Sequence, residues 1–176
     1  MRWPSFLPGS MMPATAGVEL AGFAAAHAVC RIASGDTLTP LAVGQRGSGT
    51  PRVTCLDGGN GEEIAEQARQ WLDRNSGGAD RAVTVVDGYV TIARESRTDA
   101  LILDISCYRG SVSRMKMAVP YRRAVDGARF AIHRPKFIVA ELKGHDSNAL
   151  GHAFLRGIMS HEAGGPFWMA AFDPSR

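Results

Sequence analysis

His145, His152 and His161, with Asp146 and Glu162 beside them, form the densest run of proton carriers and metal-ligand types in this 176-residue chain. Metal sites carried on a helix place their ligands three or four residues apart, so that both reach one ion from one face. These histidines are spaced by seven and nine. That spacing argues against a metal, and no cofactor is expected. What is left is acid–base chemistry, with His152 and His161 as the groups that could move a proton. Cys30, Cys55 and Cys107 offer a second chemistry, nucleophilic attack by a thiolate. Cys107 falls on the apolar side of a strand and Cys30 on the apolar stripe of a helix, where a thiol packs as a small hydrophobe.

Anion recognition is the next chemistry the residue types allow. Arginine outnumbers lysine seventeen to three, and a planar guanidinium fork matches carboxylate and phosphate oxygens two at a time. Charge is uneven along the chain: from Arg94 to Lys136 ten basic residues accompany four acidic ones, a balance of +6, while the remainder carries −3. Arg109, Arg114, Arg122 and Arg123, together with Tyr121, are therefore the expected anion-binding set. An enzyme reading follows, a hydrolase or transferase acting on an anionic small molecule, with Arg122 and Arg123 holding charge and His152 or His161 carrying protons. An aromatic ring among guanidinium groups also suits single-stranded nucleic acid. No recognised nucleic-acid motif accompanies it, so weak nucleic-acid binding ranks third.

Two glycine-rich stretches need comparison with phosphate loops. Gly44–Thr50 follows a strand but lacks the P-loop lysine, and Pro51, Arg52 and Val53 lead into a strand where a helix should open. It reads as a hairpin loop. Asp57–Gly61 does enter a helix, yet Glu62 and Glu63 would repel a phosphate there.

The C-terminal segment PFWMAAFDPSR is too apolar to stay in water. Phe167, Trp168 and Phe172 are expected either to anchor a symmetric dimer or to cover the chain's own sheet. The first functional expectation is accordingly a non-catalytic binding or assembly module that associates with itself, without membrane partners.

The elements that would position these groups follow from periodicity. Residues 99–120 read as one antiparallel hairpin: Leu101, Leu103, Ile105 and Cys107 alternate with polar or small residues, as do Met115, Met117 and Val119 on the return. A three-residue loop at Arg109, Gly110 and Ser111 sets Leu103 opposite Met117, Ile105 opposite Met115 and Asp104 opposite Lys116, with one face apolar and the other charge-matched. Short strands are expected at 37–43, 52–56, 129–133 and 137–142. Residues 81–94 read as one strand with a bulge at Asp87 and Gly88, and a turn at Glu95, Ser96 and Arg97 leads into the hairpin.

Helices are expected from a Thr15 cap to Ser34 with a Leu20, Phe23, His27, Cys30 stripe, from an Asn60 cap with an Ile64, Ala68, Trp71, Leu72 stripe, and over about 148–163 from a Ser147 or Asn148 cap. Gly164 and Gly165 would end the last. The whole is an α+β domain, a largely antiparallel sheet of about five to seven strands packed with two to three helices, over residues 15–176. Residues 1–14, with three prolines, form an extension. Three distant cysteines without CxxC spacing suit a reducing cytoplasm.

Overall fold

The computed structural model describes residues 13–91, 97–109, 113–140 and 146–175. Among these the chain is an α+β domain with a seven-stranded antiparallel sheet and four helices. In chain order the elements are α1 (Pro13–Ala33), β1 (Leu41–Gln45), β2 (Arg52–Cys55), α2 (Gly61–Asp73), β3 (Arg81–Thr91), β4 (Arg97–Cys107), β5 (Ser113–Arg122), β6 (Ala131–Ile132), β7 (Lys136–Ala140), α3 (Ser147–Ser160) and α4 (Gly164–Ala171). The sheet runs β2-β1-β3-β4-β5-β6, and β7 also pairs with β5. Because β2 and β3 both pair antiparallel to β1, they run parallel to each other. The chain joins them by a crossover through α2, as parallel strands require.

The central hairpin has the expected register, with Leu103 opposite Met117, Ile105 opposite Met115 and Asp104 opposite Lys116. Lys116 Nζ lies 3.2 Å from the Asp104 carboxylate. Leu101, Leu103 and Ile105 are fully buried, each contributing about 1.5–3 kcal/mol through removal of apolar surface from water. Most of the loop that sets this register, 110–112, lies outside the described residues, as do Glu95 and Ser96 of the expected preceding turn; Arg97 belongs to β4.

Several local expectations are corrected. β3 is one long strand, but its pairing with β4 runs without a shift from Arg81↔Cys107 to Thr91↔Arg97, so Asp87 and Gly88 form no bulge. Gly88 instead stands where a Cβ would press on Ile102 Cγ1 at 3.0 Å. β1 starts at Leu41 and not at 37, β6 is reduced to two residues, and β7 covers 136–140. α1 already includes Pro13 and Ala14, so Thr15 lies inside the helix and caps nothing. α3 is capped by Asp146, whose carboxylate accepts the Asn148 N–H at 2.9 Å. Gly164 and Gly165 do not end that helix; they open α4, which takes up the apolar tail.

α1 lies between the sheet and the α3–α4 pair and is buried nearly all round. Its deep positions are Val18, Ala21, Ala24, Ala25, Ala28 and Val29, all fully buried, while Phe23, His27 and Cys30 of the expected stripe are only half-buried. Small residues allow backbones to touch. A Cβ on Gly22 would run into the Phe154 carbonyl oxygen, and one on Gly157 into that of Glu19. By length and composition residues 14–33 could cross a membrane, yet 67% of that window is buried inside the fold, as in a core helix.

The tail closes this layer. Trp168, 3% exposed, meets Phe154 edge-on at 5.8 Å, and Phe167 packs on Phe130, which stacks on Tyr121. Phe172 bridges to Ile132 and is 36% exposed. Trp168 and Phe167 thus cover the chain's own core.

α2 covers the opposite sheet face. Asn60 Oδ1 accepts the Glu62 and Glu63 N–H groups while the Glu63 carboxylate accepts the Asn60 N–H, a complete capping box. At the other end Tyr108 donates its hydroxyl to the Leu72 carbonyl at 2.6 Å, satisfying a helix-end acceptor and fixing α2 to the sheet. Ala42, Leu56 and Ala68, with Trp71 and Val86, form a small core cluster here, and Leu72 is buried beside it.

Candidate functional site

The expected anion-binding residues are dispersed. Arg114 and Arg122 stand at opposite ends of β5, about 27 Å apart at the usual rise per residue, while Tyr121 and Arg123 alternate to the other sheet face. Most of these guanidinium groups already have a carboxylate. Arg109 pairs with Asp80 at 2.8 Å and Arg114 with Asp73 at 2.8 Å. Arg123 reaches Asp87 at 2.8 Å and Asp99 at 3.4 Å, and also donates to the Tyr121 hydroxyl at 2.8 Å. Tyr121 in turn donates to Asp87 Oδ1 at 2.7 Å. Burial first, then that carboxylate, pushes the phenol far above its ordinary pKa. Two carboxylates around one guanidinium leave this cluster net negative, which repels an anion. Arg122 is exposed and donates to the Arg129 carbonyl at 3.3 Å.

The histidines separate as well. His145 lies outside the described residues, and His152 is exposed on α3. His161 forms a pair that spacing did not reveal, with His27 of α1. Gly164 N–H donates to His161 Nδ1 at 2.9 Å, so the proton of a neutral ring sits on Nε2 and is donated to His27 Nδ1, 3.1 Å away. Burial lowers both imidazole pKa values, and each ring's neutral form is the one these bonds use. The pair ties α1 to the turn between α3 and α4. A metal on His161 Nε2 would need the other tautomer, setting two N–H groups against each other at Gly164. None of the three cysteines forms a disulfide, and burial raises the thiol pKa of Cys30 and Cys107, consistent with packing.

Two grooves flank α2, and their linings differ in charge. The first, about 700 Å3, runs between α2 and strands β3–β5 over Ala65, Ala68, Leu72, Val86 and Ile102. Its rim carries Glu62, Glu66 and Asp104 against Arg69, Arg114 and Lys116, and ion pairs Arg69–Glu66, Arg114–Asp73 and Lys116–Asp104 close it electrostatically. The second, about 780 Å3, opens between the β1–β2 hairpin and the loop that follows α2. Its lining includes Arg46, Arg52, Thr50, Thr54, Ser76 and Trp71 and, among the described residues, no carboxylate.

That second cleft is built in place by local bonds. Gly44 lies opposite Arg52 in the β1–β2 register, where a Cβ would touch the Ala79 Cβ at 3.3 Å, and a Cβ at Gly77 would press on the Trp71 ring at 2.9 Å. Glycine at 77 lets the indole form the wall. Asn75, at φ 46°, clamps the loop by exchanging side-chain bonds with Ala79 N–H and C=O. Arg46 Nε donates to the Gly78 carbonyl at 2.5 Å, joining this loop to the hairpin. Asp80 accepts the Gly47 N–H at 2.7 Å, which together with Arg109 holds its carboxyl below the usual range. Among the described residues the Arg52 guanidinium and the hydroxyls of Thr50, Thr54 and Ser76 make no hydrogen bond or ion pair.

The glycine-rich stretch closes the β1–β2 hairpin, as the strand-forming context at Pro51–Val53 implies, with Gly44 and Gln45 ending β1 and residues 46–51 forming the loop, and its Gly47 and Gly49 amides are bonded within the protein. It still forms one wall of the cleft. The charge count pointed elsewhere because Arg46 and Arg52 lie in the segment whose total is negative. The usable signal was their placement around a glycine-rich loop with no acidic residue between Leu41 and Leu56. Comparison with known proteins adds no constraint: no family model, no curated protein and no solved structure matches this chain.

Proposed function

We propose that this protein is a binding module for a planar anionic ligand of the nucleotide type, held in the cleft between the β1–β2 hairpin and the loop after α2. The observation that carries the reading is the cleft's uncompensated charge: among the described residues Arg46 and Arg52 share it with no carboxylate in the lining, whereas Arg109, Arg114 and Arg123 are each paired. Guanidinium groups and three hydroxyls suit phosphate oxygens, and an indole wall suits a ring. The clamped loops mean that little ordering is needed on binding. Three separate cysteines without a disulfide suit a reducing cytoplasm.

Calorimetry with a nucleoside monophosphate, inorganic phosphate and a short single-stranded oligonucleotide tests the reading. The mononucleotide is expected to bind at least tenfold more tightly than phosphate, a difference of about 1.4 kcal/mol, and to change the fluorescence of Trp71. An oligonucleotide that binds more tightly still would identify the ligand as a nucleotide within a strand. No heat with any of the three at millimolar concentration overturns the proposal.

A further inference from the structure

β2 ends the sheet, and all four of its residues are exposed. Its outward backbone groups can be identified. Leu56 N–H donates to the Pro40 carbonyl at 2.7 Å, and the β1–β2 register pairs Leu41 with Cys55, Ala42 with Thr54 and Gly44 with Arg52. Hydrogen-bonded pairs alternate along an antiparallel ladder. Thr54 and Arg52 therefore turn their N–H and C=O toward β1, while those of Val53 and Cys55 point away from the sheet. Edge strands are ordinarily blunted by shortness, charged side chains, bulges or prolines. β7 has such devices, with Ile138 left unmatched by a register shift against β5 and an exposed Lys136. β2 is short, at four residues, and carries Arg52 at one end, but it has an even register and no internal proline, and Val53 is 37% exposed.

We infer that a second copy of this chain pairs antiparallel on β2, about a two-fold axis through Thr54. This register sets Val53 of each copy against Cys55 of the other and uses all four outward groups of both strands. The side chains agree with it. Val53 meets a cysteine on one face, Thr54 meets Thr54 on the other, and the two Arg52 residues stand about 13 Å apart along the strands, so no like charges are opposed. A register centred on Val53 would set Cys55 against Pro51, which has no N–H to give. The isologous contact closes on itself and leaves no further β2 edge. It joins the two sheets with both α2 faces on one side, and it stands whether or not the cleft binds a nucleotide.

Light scattering on the full chain at high micromolar concentration is expected to give twice the 18.8 kDa chain mass. Val53→Pro removes only an outward N–H and should yield a folded monomer by circular dichroism. Should that variant misfold, Thr54→Cys combined with Cys55→Ser provides the second test. A non-hydrogen-bonded antiparallel pair brings Cα atoms to about 4.5 Å, within disulfide range, so mild oxidation should link the two copies covalently. A monomeric wild-type chain overturns the inference. So does a dimer of the double variant in which the two introduced thiols stay unlinked under oxidation.

Discussion

The two faces of the sheet are built on different principles. On the α1 face, alanines and glycines let helix backbones touch, and Val83, Val85, Leu101, Leu103 and Ile105 vanish beneath them. On the α2 face a single capped helix covers a small core and leaves a groove on either side. Close packing leaves no room for a ligand and strongly resists change. Sparse cover costs stability but leaves space in which polar groups remain unpaired. The α1 face thus carries most of the stability, and the α2 face holds the candidate site.

The largest effect that would expose this difference is Gly157→Val. The new side chain meets the Glu19 backbone, which cannot move without α1, and a loss of about 3 kcal/mol or more is expected in urea unfolding. Ala65→Val, which adds two carbons where Gly157→Val adds three, lies at the edge of the first groove and should change stability by less than about 1 kcal/mol. If both variants cost the same, the contrast between the faces is wrong.

Charge reversal sharpens the contrast within the α2 face. Arg52→Glu should weaken mononucleotide binding at least tenfold, about 1.4 kcal/mol, while the urea midpoint stays unchanged. Arg69→Glu, in the charge-balanced groove, should leave affinity within about twofold because ions near it are already screened and paired. Equal losses in calorimetry would place the ligand elsewhere.

Acid should act on the α1 face first. The folded state lowers the pKa of His27 and His161 from 6.5, chiefly by burial, so between the lowered values and 6.5 the unfolded chain binds more protons. Stability from the pair is fully present above pH 6.5 and declines as pH falls through that window. A proton on His27 Nδ1 would oppose the His161 Nε2–H and break the link between α1 and the turn from α3 to α4. His27→Gln, whose amide oxygen still accepts that bond, should flatten the pH dependence of thermal unfolding below 6.5. An unchanged slope would show that other groups set it.

The smallest effect is expected at Asp104. Its ion pair with Lys116 is 40% exposed on both sides, so Asp104→Asn should cost no more than about 0.5 kcal/mol. A loss of several kcal/mol would mean that this groove is far less solvated than its exposure implies.

What local chemistry governs was legible in the chain. The Asn60 cap needs only residues 60–63, and the β4–β5 register needs only alternation, since a slip of one residue would turn Asp104 into the core. The same reasoning failed at Gly164 and Gly165, because what stabilises a helix there is the burial of Trp168 against Phe154 and the contact of Gly164 with Ala26, both far away in sequence. Local rules read those glycines as a stop.

By itself, then, the sequence determined the α+β class, the antiparallel hairpin, the helix starting at Asn60 and the need of the tail for cover. Only the tertiary structure decided which arginines keep an uncancelled charge, that His27 meets His161, and where the sheet leaves its backbone open. The physical reason is range. Capping and alternation act between residues a few positions apart, whereas the pairing of a guanidinium depends on which carboxylate, here Asp80, Asp73 or Asp87, the fold brings within 3 Å of it.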